Sequence, residues 1–148
     1  MPVFADNKKA RFNYEIVEEF QAGIVLTGPE VKSVRAGKVS FTNAYVTFVS
    51  NKIVIRGMHI NPYNFADNKD YNPDSDRVLL LNSHELKKLK DKTEQQSLTI
   101  VPLNLHSKKG LIKCQIALVQ GRKMHDKRQV LKNRTMDREA KRAIKNYK

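Results

Sequence analysis

The sequence predicts a mainly β domain, a small barrel of about six strands with two or three short flanking helices, followed by a disordered basic C-terminal tail. Three observations carry this. Short alternating or continuous apolar segments, separated by turn residues, recur along the first 120 positions. Helical spacing with a capping residue occurs in that stretch only after Thr27 and after Asn82. The last 28 residues, Gly121 to Lys148, hold 11 Lys/Arg against 3 Asp/Glu, a net +8 of the chain's +13. A segment so charged and so poor in large apolar side chains cannot bury enough surface to fold alone. The expected division is therefore a barrel over 1–120 and a tail over 121–148. Closing the sheet removes its edges, and a helix between strands suits an OB-type Greek-key barrel. The strand pattern by itself leaves a two-sheet sandwich open.

Residues 1–10 read as a loose lead-in. Phe12–Leu26 reads as one long strand, bent at Ala22-Gly23 and locally acidic at Glu15, Glu18 and Glu19. Thr27 or Gly28 can cap the next element, Pro29 suits its first turn and Gly37 its end. Val31 and Val34 then share a face of a two-turn helix. Phe41–Val49 and Ile53–Ile60 are strands about a Ser50-Asn51-Lys52 turn, with Ala44, Val46 and Phe48 on one face. Asn61–Asp76 is a polar loop long enough to suggest a role in function. Arg77–Leu81 is a short strand. Asn82 or Ser83 caps a helix through about Lys92 that buries Leu86 and Leu89. Leu98–Leu105 and Leu111–Gln120 are strands joined through His106-Ser107-Lys108-Lys109-Gly110, with Ile112, Cys114, Ile116 and Leu118 facing the core.

The sequence offers little for catalysis. His59, His84, His106 and His125 form no H-E-x-x-H pair, and Cys114 has no second cysteine with which to build a zinc site or a disulfide. A single cysteine at a core-facing position suits a reducing cytoplasm and a buried thiol. Glu18 and Glu19 are adjacent in a strand, so their carboxylates point apart. No phosphate-binding glycine loop and no nucleophile elbow is present. The expectation is a protein that is not an enzyme and takes no metal or cofactor. No run approaches the roughly 18 apolar residues of a spanning helix, and the tail lacks the broad apolar face of a membrane-surface helix.

With a pI near 9.9, the chain is charged to seek a polyanion. Outside the tail three groups of basic residues are candidates for such contact: Lys8-Lys9-Arg11, Lys32-Arg35-Lys38 and Lys108-Lys109. One such group is an ordinary solvated face; three groups and a basic tail favour phosphate contact. In the tail, Gly121 can hinge and Asp126 can cap a helix. Met136, Ala140, Ile144 and Tyr147 then form a narrow apolar line among Lys132, Arg134, Arg138, Lys141, Arg142, Lys145 and Lys148. Ordering costs about 1–2 kcal/mol per residue, so the helix is expected to form only where phosphates surround it.

Several runs carry a resemblance to a known family. They are Asn7-Lys8-Lys9-Ala10-Arg11, Phe20-Gln21-Ala22-Gly23-Ile24, and Gly28-Pro29-Glu30-Val31-Lys32-Ser33-Val34-Arg35-Ala36-Gly37-Lys38. Tyr45-Val46, Ile60-Asn61-Pro62-Tyr63, Leu79-Leu80-Leu81, Val101-Pro102-Leu103, Gly121-Arg122-Lys123 and His125-Asp126-Lys127-Arg128 follow in order. Together they resemble the SsrA-binding protein family, SmpB, along nearly the whole chain.

The resemblance implies an OB-type barrel and an RNA-binding protein of trans-translation. Such proteins bind the tRNA-like domain of transfer-messenger RNA and stand in for its missing anticodon arm. They support its charging by alanyl-tRNA synthetase and its delivery by elongation factor Tu to stalled ribosomes, where the nascent peptide is tagged. Carried over by position, Asn7, Lys8, Arg11 and Leu80 would contact the RNA, beside Lys32, Arg35 and Lys38. Gln21 sits where the family commonly has Glu: it keeps an acceptor oxygen and loses the charge. The tail, folded as a helix in the empty mRNA channel, would hinge at Gly121 and meet the ribosome through Arg122, Lys123, Lys132 and Arg134. His125 would stack on a base of the decoding centre, where Asp126, Lys127 and Arg128 would dock. Met136 falls where relatives often have Trp. Two rivals use the same charge: a general translation factor or ribosomal protein with a barrel and basic tail, and an adaptor for acidic partners or membrane surfaces.

Overall fold

A computed structural model describes residues 3–64 and 69–121. The tail residues Arg122, Lys123, His125, Asp126, Lys127, Arg128, Lys132 and Arg134 lie outside them, as does Met136. Among the described residues there are nine strands and three helices. Six strands close on themselves in the order β8 (Thr99–Lys108), β4 (Tyr45–Val49), β5 (Lys52–Arg56), β7 (Arg77–Leu80), β2 (Tyr14–Ile24), β9 (Leu111–Gly121) and back to β8. Every pairing is antiparallel, and α3 (Ser83–Gln96) enters between β7 and β8. This is the barrel expected of the sequence. β1 (Val3–Asp6) adds a seventh strand along β8, and β3 (Val39–Ser40) pairs with β6 (His59–Ile60) in a small separate sheet.

The barrel is filled by one apolar cluster. Ala22, Val46, Ile55, Leu79, Leu105, Cys114, Ile116 and Leu118 point into it from six strands, closed by Val34 of α2 (Gly28–Arg35) and Leu89 of α3. Burying each large aliphatic side chain is worth about 1.5–3 kcal/mol. A second, smaller cluster lies outside the barrel wall. Val101, Leu103, Ala117 and Val119 pack there under Ala10 of α1 (Lys8–Asn13) and Tyr14. The outward row of β9 therefore becomes a floor for α1 at Ala117 and remains free of that packing at Lys113 and Gln115.

Several sequence expectations change. The lead-in is not loose, and β2 begins at Tyr14 rather than Phe12. Asn7 caps α1 by accepting from the Ala10 N–H at 3.3 Å, its amide donates to the Pro102 carbonyl at 2.8 Å, and β1 pairs with β8. A four-residue strand held only by a distant partner leaves no periodicity to read. The strand expected over Phe41–Val49 starts only at Tyr45, because the chain turns at Phe41–Ala44, and the one expected over Ile53–Ile60 divides into β5 and β6 at Gly57–Met58. The last hairpin is tighter than its five-residue turn suggested: β8 runs to Lys108, and Lys109 and Gly110 turn alone, with φ of 52° and 78°. Two consecutive left-handed residues match the twist of the flanking strands.

Candidate nucleic-acid interface

Strand register brings one row of residues together across five strands: Val3, His106, Lys113, Gly23 and Leu80 are successive cross-strand partners from β1 to β7. One step along, Asp6, Asn104, Gln115 and Gln21 form a second row. Phe20 and Ala22 point inward, so Gln21 and Gly23 face out. Leu80 is 57% exposed. Gly23 makes room for it: a Cβ there would sit 3.2 Å from the Leu80 Cβ and 3.7 Å from the Lys113 Nζ. The glycine keeps the surface low between an apolar side chain and a cation. Gln21 and Leu80, far apart in sequence, thus share one platform.

On that platform Gln21 is held from two sides. Lys108 Nζ donates to its Oε1 at 2.9 Å, and its Nε2 lies 2.7 Å from His106 Nε2. His106 Nδ1 is 2.8 Å from Asn104 Oδ1. Burial holds the imidazole pKa below its ordinary value, with the charges of Lys108, the amino terminus and Lys113 adding to the effect.

α2 forms the adjoining wall. Thr27 accepts from Glu30 N–H at 3.3 Å while Glu30 Oε1 accepts from Thr27 N–H at 3.0 Å, a complete capping box. Lys32 and Lys38 are exposed. Lys32 Nζ stands 5.3 Å from the centre of the Tyr63 ring. Arg35 donates to the Gly110 carbonyl at 2.9 Å and covers Phe4 at 5.8 Å, pinning the helix to the hairpin tip. A groove of about 210 Å³ separates α2 from the platform, lined by Gly23, Val31, Arg35, Leu111 and Lys113 among others.

At the opposite edge, α1 exposes Lys8 and Arg11, the latter 3.4 Å from Asp6. Asn7 is buried, with its side-chain oxygen and one amide hydrogen spent on Ala10 and Pro102. It is placed to set the position of α1. Gly121 pairs with Tyr14 and ends β9 beside the end of α1, so the chain leaves the barrel there.

Glu30 and Arg77 were not singled out from the sequence. Arg77 Nη2 lies 2.7 Å from Glu30 Oε2, and both side chains are almost fully buried. Arg77 also donates to the carbonyls of Met58 (2.6 Å) and Pro73 (2.8 Å), while Tyr71 donates to Ile60 O at 3.0 Å. The network ties the start of α2 to the loop after β6. Burial acts to raise the Glu30 pKa, but the Thr27 N–H and Arg77 outweigh it and hold the carboxyl below its usual range. The Thr27-x-x-Glu30 capping spacing was the available signal for Glu30. Cys114 is a core thiol as expected, its pKa pushed up to about 12 by burial.

Comparison with known proteins agrees with this architecture. The family model described as SmpB protein matches residues 4–146. The SsrA-binding protein of Oleidesulfovibrio alaskensis is 50% identical over 142 residues, covering 96% of this chain and 92% of its own. That of Trichormus variabilis is 48% identical over 146 residues, covering 98% and 94%. A chain from a solved structure described as "tmRNA-SmpB: a journey to the center of the bacterial ribosome" superposes with a TM-score of 0.68 at 41% identity, covering 84% of this chain and 87% of that one. A family model spanning nearly the whole sequence, together with relatives about half identical over nearly all of it, places this chain in the SmpB, or SsrA-binding protein, family.

Proposed function

We propose that this protein binds the tRNA-like domain of transfer-messenger RNA and delivers it to stalled ribosomes for peptide tagging. Membership of the SsrA-binding protein family supports this. The observation that carries it furthest is the platform itself: Leu80, Gly23, Lys113 and Gln21 in adjoining register, flanked by cations of α1 and α2. An apolar side chain beside a donor–acceptor amide and a lysine suits an unstacked base and its phosphate. Lys8, Arg11, Lys32, Arg35 and Lys38 then supply phosphate contact from either side. Asn7 contributes by fixing α1. The role is one of binding and placement, with no reaction of the protein's own. Alanyl-tRNA synthetase and elongation factor Tu are engaged through the RNA, in the cytoplasm where ribosomes work. No helix of the described residues is long and apolar enough to cross a membrane.

The tail follows Gly121 into the decoding centre, with His125 stacking on a base and Asp126, Lys127 and Arg128 docked beside it. Arg122, Lys123, Lys132 and Arg134 track phosphates along the vacant mRNA path. Two functions therefore reside in two segments, and truncation separates them. A chain ending at Gln120 should retain most of its affinity for a tRNA-like-domain transcript and lose peptide tagging in a reconstituted translation system. Loss of RNA binding on truncation would overturn the division.

A further inference from the structure

Lys108 is a donor only, and its Nζ lies 2.9 Å from Gln21, so the Gln21 atom facing it must be the oxygen. That fixes the amide: its nitrogen, a donor only, faces His106 Nε2 at 2.7 Å. The imidazole must therefore accept at Nε2 and carry its proton on Nδ1, where Asn104 Oδ1 receives it at 2.8 Å. The chain Lys108–Gln21–His106–Asn104 admits one direction of donation. It leaves Gln21 with one N–H hydrogen and one oxygen lone pair uncommitted among the described residues, on a half-buried side chain beside Leu80's platform.

We propose that His106 is a positioning residue for RNA recognition, locking the Gln21 amide so that its remaining donor and acceptor present a fixed pair to a nucleobase. This rests on the RNA-binding role of the platform. A protonated imidazole would turn Nε2 into a donor facing a donor, and the amide could not rotate without presenting its N–H₂ to Lys108. A glutamate at position 21 would respond in the opposite sense. Its carboxylate accepts from Lys108 and from a protonated His106 alike, so a Glu–His pair tolerates acid where the Gln–His pair does not. Lys108 on the same strand and Lys113 on the neighbouring one face His106 with positive charge, and the amino terminus adds to it. All three favour the neutral ring that the lock requires.

The test uses the full chain and a tRNA-like-domain transcript, with affinity followed by fluorescence anisotropy from pH 7.5 to 5.0. Wild type should weaken about fivefold to tenfold across that range, the equivalent of one hydrogen bond. His106→Ala should be weaker at pH 7.5 by a similar factor and insensitive to pH. His106→Gln, which offers an acceptor with no titrating proton, should recover part of that loss without the acid fall. Gln21→Glu should hold its affinity at pH 5.0. Long-range ¹H–¹⁵N correlations of the free protein should report the Nδ1–H tautomer of His106. An Nε2–H tautomer, unchanged binding in His106→Ala, or parallel acid profiles in wild type and Gln21→Glu would each overturn the positioning role. If wild type fails to prefer the transcript over unrelated RNA at pH 7.5, the functional proposal itself falls.

Discussion

Arg77→Met tests what holds the basic helix in place. Five hydrogen bonds end on this guanidinium: two from Nε and Nη2 to Glu30 Oε2 (3.0 and 2.7 Å), and one each to Met58 O, Pro73 O and Tyr71 Oη. Methionine fills similar volume but returns none of them. The Glu30 carboxylate stays buried, with the Thr27 N–H against it and a Tyr71 hydroxyl whose one proton is shared with the Ile60 carbonyl. Removing one partner of a buried pair costs about 3–5 kcal/mol. That is a large share of the roughly 5–15 kcal/mol that keeps a domain folded. For a domain of this size the melting temperature should fall by roughly 6–20 °C. Urea unfolding followed by circular dichroism should show a lower midpoint at an unchanged slope. Adding Glu30→Gln removes the stranded charge while leaving an oxygen to accept from Thr27, so the double variant should be more stable than the sum of the single losses. The sign of the pH dependence follows from Glu30, whose folded pKa is lowered. Its stabilisation is complete above the unfolded value of about 4.5 and is lost as pH falls through the folded one. Glu30→Gln should flatten that acid limb. An Arg77→Met midpoint equivalent to less than about 1 kcal/mol of loss, or additive double-variant energetics, would refute this account of the network.

Other outcomes follow from the same geometry. Lys32→Ala with Arg35→Ala and Lys38→Ala should reduce the slope of log Kd against log salt by about 2–3, since each phosphate contact contributes about 0.7–0.9; an unchanged slope would place the RNA elsewhere. Gly23→Ala should weaken transcript binding more than it lowers the urea midpoint, because its Cβ would press on Leu80 at 3.2 Å without entering the core. Cys114, fully buried with a pKa of about 12, should resist iodoacetamide in the native chain and react fully in urea; alkylation of the native protein would contradict its place in the core. Asp126→Ala with Lys127→Ala and Arg128→Ala should spare transcript binding and abolish tagging, and lost RNA affinity in that variant would argue against a tail acting only on the ribosome.

What was legible in the sequence was what local spacing decides. Thr27, Pro29 and Gly37 bound α2, and the alternation Ile112, Cys114, Ile116, Leu118 gave β9 its face. α3 runs to Gln96, past the end expected near Lys92, since no glycine stops it and Ser97 takes the left-handed position instead, at φ 53°. What escaped depends on partners distant in the chain. β1 exists because β8 is beside it, and α1 because Ala10 meets Leu103 and Ala117. Glu30 and Arg77 are 47 residues apart, and nothing local tells a buried pair from two solvated charges. The platform was half visible: Gln21 and Leu80 were singled out by resemblance, while Lys113 and His106 joined them only through register. A glycine inside a strand pattern, Gly23, was the clue that something passes close over the sheet.

The acidic residues bear on where RNA is proposed to bind. Three basic groups and a tail pointed to phosphate, but sequence could not say which cations remain unpaired. Glu18 takes both Lys88 and Lys92, at 2.6 and 3.1 Å, and thereby fastens α3 to the barrel; its own pKa falls through those two contacts. Asp76 takes Arg56, and Glu30 takes Arg77. These carboxylates lie on β2, on the approach to β7 and at the head of α2, and each joins two elements of the fold. By contrast, no carboxylate of the described residues lies within ion-pair distance of Lys8, Lys32, Arg35, Lys38, Lys108 or Lys113. Lys87 and Lys90 of α3 are likewise unpaired there, but they adjoin Phe48 and Leu86, away from the Gln21–Leu80 platform. Surface pairs add little stability, so their larger effect here is subtractive. They cancel charge where elements join, and leave it beside the platform, on α2 and at Lys8 of α1, whose Arg11 is itself paired with Asp6. Such a charge distribution would draw a polyanion to the side on which the amide of Gln21 and the side chain of Leu80 are displayed, as the proposed RNA-binding role of the platform requires.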